Sequence, residues 1–286
     1  MNRSNVTIVG SAIALTILGG LSFAASKSVG DDIIKTQREN LASSTAGAGF
    51  GPQSPRDIDS VDGVNTRVFQ AAPSYTEMNL CNIHMHEGAE HKGGQFTTYV
   101  GNGDGKGYGT GFGYSGDLSE AELSDDGISV GENSHGGLEP GDTIEVHYVH
   151  SSAQVVPGPT LGACLSDAIK NPQLRVETQV FVLVNDASAL DFTELTATGE
   201  VNGFAQALNI PTNTGDAIQY TGSTTGPSYN EAGSPFQVSW SVRPQVAKVN
   251  IATVAEWFNG NVFEEKYAHG VRNLVTNPDL LSPISN

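Results

Sequence analysis

Residues 81–91 read Cys-Asn-Ile-His-Met-His-Glu-Gly-Ala-Glu-His and hold three of the chain's seven histidines. Alternate side chains of a β-strand share a face. The pattern therefore predicts one face with His84 and His86, and the opposite face with Cys81 and Ile83. Two imidazoles that aim at one point form half of a tetrahedral metal site. A polar strand edge with chance histidines is the alternative, and the flanking apolar residues favour the metal site.

A third ligand is expected from residues 142–150, Asp-Thr-Ile-Glu-Val-His-Tyr-Val-His, where histidines cluster again. Alternation puts His147 and Val149 on one face and His150 on the other. His147 is therefore the better ligand, and His150 is expected to pack beneath the sheet.

Two polar residues are placed to orient these imidazoles. Glu145 lies two residues before His147, and Asn82 lies two residues before His84. Each side chain can accept the free N–H of a ligating imidazole, which fixes its tautomer and raises its basicity. We predict that both residues support the metal site in this way.

The first 24 residues predict a signal peptide. Arg3 precedes an apolar run of twenty residues from Val6 to Ala25, and Ser22-Phe23-Ala24 is a small-x-small cleavage site. Cleavage is predicted after Ala24, with an uncleaved membrane anchor as the alternative. Either interpretation predicts an exported protein, periplasmic or secreted.

The composition excludes some partners. The chain has 14 Lys and Arg residues against 31 Asp and Glu residues, a net charge of −17. Such a surface repels nucleic acid and anionic lipid. We expect no nucleic-acid partner, and no membrane partner unless the N-terminal segment is an anchor.

The rest of the chain divides into two parts. Residues 25–50 are rich in Ala, Ser and Gly and predict a flexible linker, although 31–41 could form a short helix. Residues 51–286 predict one mainly β domain, because many short β-branched runs are separated by Gly, Pro, Asn and Asp. The clearest strands are 178–184 and 236–242. Thr253 to Glu256 form a capping box that predicts the start of a short helix.

Two cysteines in an exported chain favour a disulfide between Cys81 and Cys164. It would close a loop of 83 residues. Closing such a loop stabilises a fold by about 4 kcal/mol. The bridge would also anchor the strand that carries His84 and His86.

Five stretches follow one another in the order of one enzyme family: Gln-Ser-Pro-Arg-Asp-Ile-Asp at 53–59, Asn-Ile-His-Met-His at 82–86, Glu-Val-His-Tyr-Val-His at 145–150, Tyr-Thr-Gly-Ser-Thr-Thr-Gly-Pro at 220–227 and Val-Ser-Trp-Ser-Val at 238–242. They resemble motifs of the α-class carbonic anhydrases. With Glu90 and His91 close behind the first histidines, the chain is most similar to the δ class. The resemblance covers roughly 51–273 and implies a large, twisted, mostly antiparallel β-sheet with a few short helices.

The resemblance implies reversible hydration of carbon dioxide to bicarbonate and a proton. The reagent would be a metal-bound hydroxide held by His84, His86 and His147. Three neutral imidazoles suit Zn²⁺, with Co²⁺ or Cd²⁺ also compatible.

The same resemblance implies catalytic roles. Thr225 matches the family's hydroxyl that orients the attacking oxygen, and Glu90 matches the carboxylate that holds this hydroxyl. Thr224 falls where the family has a leucine, so a shift of one residue would exchange the two threonines. His91 is a candidate proton shuttle, or else a surface residue or one that orients a ligand.

An apolar wall for carbon dioxide is implied at three positions. Val149 matches the family's pocket valine, and Val238 and Trp240 match the far wall. Core packing explains each of these residues equally well.

Two alternatives stay open at this point. The spacing of His84, His86 and Glu90, followed by His147, also fits a cupin, in which Glu90 would be a ligand to iron, manganese or nickel. A carbonic-anhydrase scaffold that has lost activity is the third hypothesis, and the presence of all three candidate ligands argues against it.

Overall fold

The structure is a computed structural model that describes residues 28–125, 127, 129–224, 231–273 and 275–284. The predicted signal peptide lies outside these residues. The helices are α1 (Asp31–Thr45), α2 (Phe192–Leu195) and α3 (Ile251–Phe258). The strands are β1 (Asn79–Glu87), β2 (Thr98–Asn102), β3 (Thr110–Gly113), β4 (Val130–Asn133), β5 (Gly136–Leu138), β6 (Thr143–Ser151), β7 (Leu174–Val184), β8 (Thr198–Val201), β9 (Phe204–Ala207), β10 (Ile218–Thr221), β11 (Val238–Val242), β12 (Ala247–Asn250) and β13 (His269–Gly270). Short 3₁₀ turns lie at Tyr75–Glu77, Leu161–Cys164 and Pro278–Leu280.

One seven-stranded sheet dominates the fold, which confirms the predicted mainly β class. Its strand order is β10-β11-β7-β6-β1-β13, and β12 also pairs with β7. The long central ladders β1–β6 and β6–β7 are antiparallel, as is β10–β11. Strands β11 and β12 join β7 in parallel, and β13 joins β1 in parallel. The sheet is therefore mixed, with the expected antiparallel pairing at its centre.

Apolar residues cover both faces of the central strands. One cluster includes Ile83, Val146 and Tyr148 and is completed by residues of α2 and α3. The other includes Val149 and Trp240. Strand β6 is buried along its whole length, so its polar side chains must find partners inside the protein.

A β-bulge changes the face that Cys81 occupies. The pairing of β1 with β6 shifts register between Leu80 and Asn82, which leaves Cys81 as the extra residue. Cys81 packs in the cluster of Val149 and not in that of Ile83. The prediction from strict alternation was wrong here, because a bulge reverses the parity of every residue before it. The predicted disulfide is confirmed, since Cys81 is bonded to Cys164.

Part of the segment predicted as a flexible linker, 25–50, is the packed helix α1. Its buried residues Ile34 and Leu41 lie seven positions apart on one face. Leu41 packs with Val275, and with Leu280 and Leu281 near the end of the chain. The sequence indicated a possible short helix at 31–41, and the structure extends it to Thr45. The packing of Ile34 and Leu41 was not predicted, because most of the fifteen residues are polar.

No helix within the described part of the chain is both long and apolar enough to cross a bilayer.

Candidate metal centre

Two neighbouring strands bring three histidines together. His84 of β1 pairs directly with His147 of β6, and His86 pairs with Glu145. The ring centroids of His84, His86 and His147 are 4.9 to 5.2 Å apart in every pairwise combination. One ligand nitrogen from each ring lies within 4.8 Å of the other two. The predicted ligands therefore converge on one point.

Each imidazole has its other nitrogen held by an acceptor. His84 donates from Nδ1 to Asn82 Oδ1 at 2.7 Å, and His147 donates from Nε2 to Glu145 Oε1 at 2.6 Å. His86 donates from Nδ1 to the backbone oxygen of Gly270 at 3.0 Å. These contacts fix the tautomers and leave Nε2 of His84, Nε2 of His86 and Nδ1 of His147 as the ligating atoms.

The surroundings keep His84 and His86 neutral, which is the form of an imidazole that binds a metal. Burial, followed by the nearby His147 and His86, lowers the pKa of His84 well below its usual value. Burial also lowers the pKa of His86 to about 4, although the charge of Glu90 opposes the shift. Neither ring carries a proton that would compete with a cation at neutral pH.

Glu145 joins the metal centre to His91. Its Oε1 accepts from His147 and, at 2.7 Å, from His91 Nδ1, while Oε2 accepts from the His91 backbone at 3.0 Å. His91 Nε2 contacts the hydroxyl of Tyr220, which accepts from Ser54 Oγ at 2.9 Å. Burial raises the pKa of Glu145, but His91 and His147 outweigh burial and hold it well below its usual value.

His91 therefore lies inside the protein. It is fully buried and both ring nitrogens have partners. His91, Glu145 and His147 also form a second group with metal-ligating atoms. Their atoms are already engaged with one another and with Tyr220, so this group has the contacts of a hydrogen-bond network. The geometry favours the orienting role among the interpretations of His91.

Glu90 lies behind His86. Its Oε1 accepts from the backbone N–H of Arg272 at 2.6 Å and is 3.6 Å from His86 Nδ1. Its Oε2 is 3.9 Å from Arg56 Nη2. Burial raises the pKa of Glu90, but His86 and Arg56 outweigh it and lower the value to about 2. Because Glu90 faces Nδ1 and not Nε2, it lies on the wrong side of the ring for the cupin ligand set.

The donor set fits a divalent cation. Three imidazoles, each with one nitrogen free to ligate, match the ligands that zinc takes in catalytic sites, and the acceptors behind them are those that such ligands usually have. Cobalt and cadmium accept the same donors.

The three residues predicted for the apolar wall are buried, and Trp240 among them lies beside His147. Val149, Val238 and Trp240 are buried in one cluster. The Trp240 ring is 5.3 Å from both the His147 and the His91 ring centroids, and its Nε1 donates to the Gly222 oxygen at 2.8 Å.

The threonine loop is only partly described. Thr225 lies outside the described residues, and Thr224 is the last described residue before it, partly buried. The preceding residues are fixed, since Ser54 and Ser223 are linked through a backbone hydrogen bond of 2.7 Å from Ser54 N to Ser223 O. The Gln-Ser-Pro motif thus supports the start of this loop.

Sequence reasoning missed His269. Its ring centroid is 5.8 Å from that of His84 and 6.1 Å from that of His86, and its Nε2 is 2.7 Å from Glu265 Oε2. Strand β13 has only two residues, and its His269 pairs with His86, which lies 183 positions earlier in the chain. A lone histidine in such a segment has no periodicity that a sequence pattern could reveal.

The chain is similar to known carbonic anhydrases. The family model described as Delta carbonic anhydrase matches residues 75–253. Solved structures with some likeness include the Photobacterium profundum alpha-carbonic anhydrase, with 20% identity over 83% of this chain and 93% of that chain and a TM-score of 0.27. A hyperthermostable carbonic anhydrase from an active hydrothermal vent chimney has 16% identity over 81% of this chain and 87% of that chain, with a TM-score of 0.26. The alpha-carbonic anhydrase from Thermovibrio ammonificans, in complex with the inhibitor sulfanilamide, has 17% identity over 78% of this chain and 84% of that chain, with a TM-score of 0.25.

No curated protein matches the chain. At these identities and TM-scores the structural likenesses carry no argument, and the assignment depends on the family match. That match spans more than half of the chain and includes all three histidines of the candidate centre. The chain belongs to the delta carbonic anhydrase family and is a carbonic anhydrase, so the cupin hypothesis is not retained.

Proposed function

We propose that this chain catalyses the reversible hydration of carbon dioxide to bicarbonate and a proton, with His84, His86 and His147 holding one divalent cation, zinc in the first instance. The convergence of three oriented imidazoles in a carbonic anhydrase chain carries this proposal. Carbon dioxide and bicarbonate are then its small-molecule partners.

A bound zinc ion would lower the pKa of water to about 7 and so supply a nucleophile at neutral pH. The chain's own residues orient the ligands. Asn82 and Glu145 fix the tautomers of His84 and His147, and His91 holds both carboxylate oxygens of Glu145 through its ring and its backbone N–H. Because Glu145 is fully buried, its contacts with two imidazoles are strong and hold the site in one arrangement.

Glu90 and Thr225 are proposed to orient the nucleophile. Glu90 is held as a carboxylate by the Arg272 backbone and the Arg56 guanidinium, so it can accept a hydrogen bond from a threonine hydroxyl. The threonine oxygen is then left to accept from the nucleophile, which turns its lone pair towards the carbon of the substrate.

Carbon dioxide offers little for hydrogen bonding, so an apolar wall is needed to hold it. Val149, Val238 and Trp240 are proposed for this wall, supported by their common cluster beside His147.

Export is also part of the proposal. The Cys81–Cys164 disulfide is typical of oxidising compartments, which supports an exported protein, periplasmic or secreted. We propose that residues 1–24 form the signal peptide and that residues 51–286 form the catalytic domain.

The threonine assignment predicts different outcomes for two neighbouring variants. Thr225→Ala is expected to lower kcat by about 100-fold, the usual cost of losing one oriented polar group in an active site, without loss of metal. Thr224→Ala is the matched control and is expected to stay close to wild type. Stopped-flow rates together with metal content check both. Exchanged phenotypes would assign the role to Thr224, and metal loss in Thr225→Ala would refute a purely orienting role.

Metal dependence tests the proposed function itself. The protein from Ala25 onward is expected to hydrate carbon dioxide in stopped flow, to lose this activity when a chelator removes the metal, and to regain it at one zinc per chain. The physical reason is that without the cation no group in the site can supply hydroxide at neutral pH. Activity that persists in metal-free protein, or a metal-loaded protein without activity, would refute the proposal.

A further inference from the structure

The ladders of the main sheet arrange the side chains of the metal-binding face in rows. Residues that pair directly across a ladder lie side by side on the same face. One such row runs from β1 through β6 and β7 to β11 and consists of His84, His147, Thr178 and Val242. Thr178 therefore shares the face of the metal ligands and lies next to His147.

The adjoining row on this face holds two of the residues proposed for the apolar wall. Val149 of β6 pairs with Val176 of β7, and Val176 pairs with Trp240 of β11. Val176 lies two residues before Thr178, so the two side chains point to the same side of β7. Val180, two residues after Thr178, packs in the same apolar cluster as Val176. Thr178 therefore lies where the row of metal ligands meets the wall.

The hydroxyl of Thr178 has no partner within the described part of the chain. The side chain is fully buried, and its Oγ1 makes no hydrogen bond there. The valines beside it on β7 and β11 offer no side-chain acceptor, and His147 has Nε2 bonded to Glu145 and Nδ1 left for the metal. A buried hydroxyl without a partner destabilises a fold. A bound molecule can supply the acceptor that the protein does not.

The proposed reaction creates such an acceptor. Carbon dioxide is a poor hydrogen-bond acceptor, but as the attacking oxygen bonds to its carbon, one electron pair of a C=O bond moves onto the substrate oxygen. That oxygen becomes part of the carboxylate of bicarbonate, and the hydroxyl that contacts it keeps its own proton. A hydrogen bond to a charged oxygen is stronger than one to a neutral oxygen. A donor placed at this oxygen therefore stabilises the transition state more than the bound carbon dioxide.

We propose that Thr178 is a further catalytic residue, whose hydroxyl donates a hydrogen bond to the substrate oxygen that becomes negatively charged. This inference rests on the proposed function and on its wall for carbon dioxide. The role differs from that of Thr225, which orients the attacking oxygen. Thr178 instead contacts the substrate, from the β7 side of the metal centre.

Thr178→Val tests the hydroxyl, because valine keeps the branched shape of threonine and removes the donor. The zinc-loaded variant is expected to lose about 10- to 100-fold in kcat/KM for carbon dioxide hydration, since one donor to a developing oxyanion is missing. Stopped flow measures this ratio, which reports stabilisation of the transition state. Thr178→Ser keeps the hydroxyl and is expected to stay close to wild type.

Bicarbonate binding gives a second readout that does not depend on rates. Cobalt-loaded protein is titrated with bicarbonate, and the visible absorption of the cobalt ion reports occupancy of the site. Thr178→Val is expected to bind bicarbonate more weakly than wild type by a factor similar to its loss in kcat/KM, because bicarbonate already carries the charge that the hydroxyl contacts. Thr178→Ser is expected to bind it as wild type does.

Stability separates this role from a structural one. Because the Thr178 hydroxyl is unpaired in the free protein, Thr178→Val is expected to unfold at the same urea concentration as wild type or at a higher one. Thr214→Val is the matched control, since its hydroxyl is also buried but donates to Gln179 Oε1 at 2.8 Å. This control is expected to unfold at a lower urea concentration and to keep the kcat/KM of wild type.

Three results would overturn the proposal. The first is an unchanged kcat/KM or an unchanged bicarbonate affinity in Thr178→Val. The second is a Thr178→Ser variant as slow as Thr178→Val, which would mean that shape and not the hydroxyl matters. The third is a Thr178→Val protein that unfolds at a lower urea concentration than wild type or does not fold, which would mean that the hydroxyl has a structural partner. An inactive wild type would refute the proposed function itself, whereas an active wild type with an unaffected Thr178→Val refutes only the role of Thr178.

Discussion

His147→Ala is expected to abolish carbon dioxide hydration and to remove the bound metal. His147 is the ligand contributed by β6, directly opposite His84 in the β1–β6 ladder. Two imidazoles from β1 cannot replace it, because a stable zinc site of this kind needs three protein ligands. Stopped-flow rates should fall to that of buffer, and metal analysis should show less than one metal per chain at a zinc concentration that saturates wild type.

His150→Ala is the matched control for this variant. It removes the same side chain from the same strand, but His150 is fully buried on the opposite face, where its ring lies 5.4 Å from that of Tyr75. Both variants lose a buried imidazole and are expected to lose stability. Only His147→Ala is expected to lose metal. Full activity in His147→Ala, or equal metal loss in both variants, would contradict the ligand assignment.

His147→Gln is a second variant that distinguishes loss of the metal ligand from loss of the fold. His147 donates to Glu145, and its removal leaves a buried carboxylate with one partner fewer. A glutamine can donate to Glu145 in place of the imidazole. We expect His147→Gln to melt closer to wild type than His147→Ala and still to lose activity, which circular dichroism and stopped flow can compare.

The alternation of side chains along β-strands was enough to predict which residues of the candidate metal centre share a face. His84 and His86 share a face because β-strands have a period of two, and the same rule placed Glu145 and His147 together. These residues lie in long, buried strands where an error of one position would expose a whole apolar face. Register is strongly fixed in such strands, so local sequence is informative there.

The remaining features depend on contacts that local sequence does not contain. The bulge at Cys81 adds one residue to β1, and no pattern of side chains marks it. His269 and Gly270 reach the site through a two-residue strand from the far end of the chain. Their role follows from tertiary packing. The two-residue period of a β-strand and the 3.6-residue period of an α-helix carry no information about such distant contacts.

Helix caps show the same limit at short range. The capping box at Thr253 predicted the start of a helix, but α3 begins at Ile251 and is capped by Asn250, whose Oδ1 accepts from Ala252 N at 3.1 Å. The Thr253 hydroxyl instead donates to the Asn250 backbone oxygen. Asn and Thr can both cap a helix, and here the cap is Asn250, the residue at which the preceding strand β12 ends.

Cys81→Ala with Cys164→Ala is expected to lower the free energy of unfolding by about 4 kcal/mol, because the disulfide removes the conformational entropy of a large loop from the unfolded chain. The bond closes a loop of 83 residues. Both cysteines are buried, so alanine is preferred to serine, whose hydroxyl would need a new partner. Urea denaturation of both proteins, fitted with equal m-values, measures the loss. A reductant should destabilise the wild type and leave the double variant unchanged.

The same variant should also weaken metal binding, because the disulfide adjoins the residue that orients His84. Asn82 follows Cys81, and its Nδ2 donates to the oxygen of Gly158 at 3.1 Å. The Gly158 N–H in turn donates to the Cys81 oxygen at 3.0 Å. Without the covalent bond, the loop that contains Gly158 can move away from Asn82 more easily. Loss of the residue that orients a metal ligand typically lowers metal affinity 10–100-fold. Competition with a chelator measures that affinity under native conditions. Unchanged affinity in a destabilised double variant would mean that the sheet alone holds Asn82 and that the disulfide acts only on the unfolded chain.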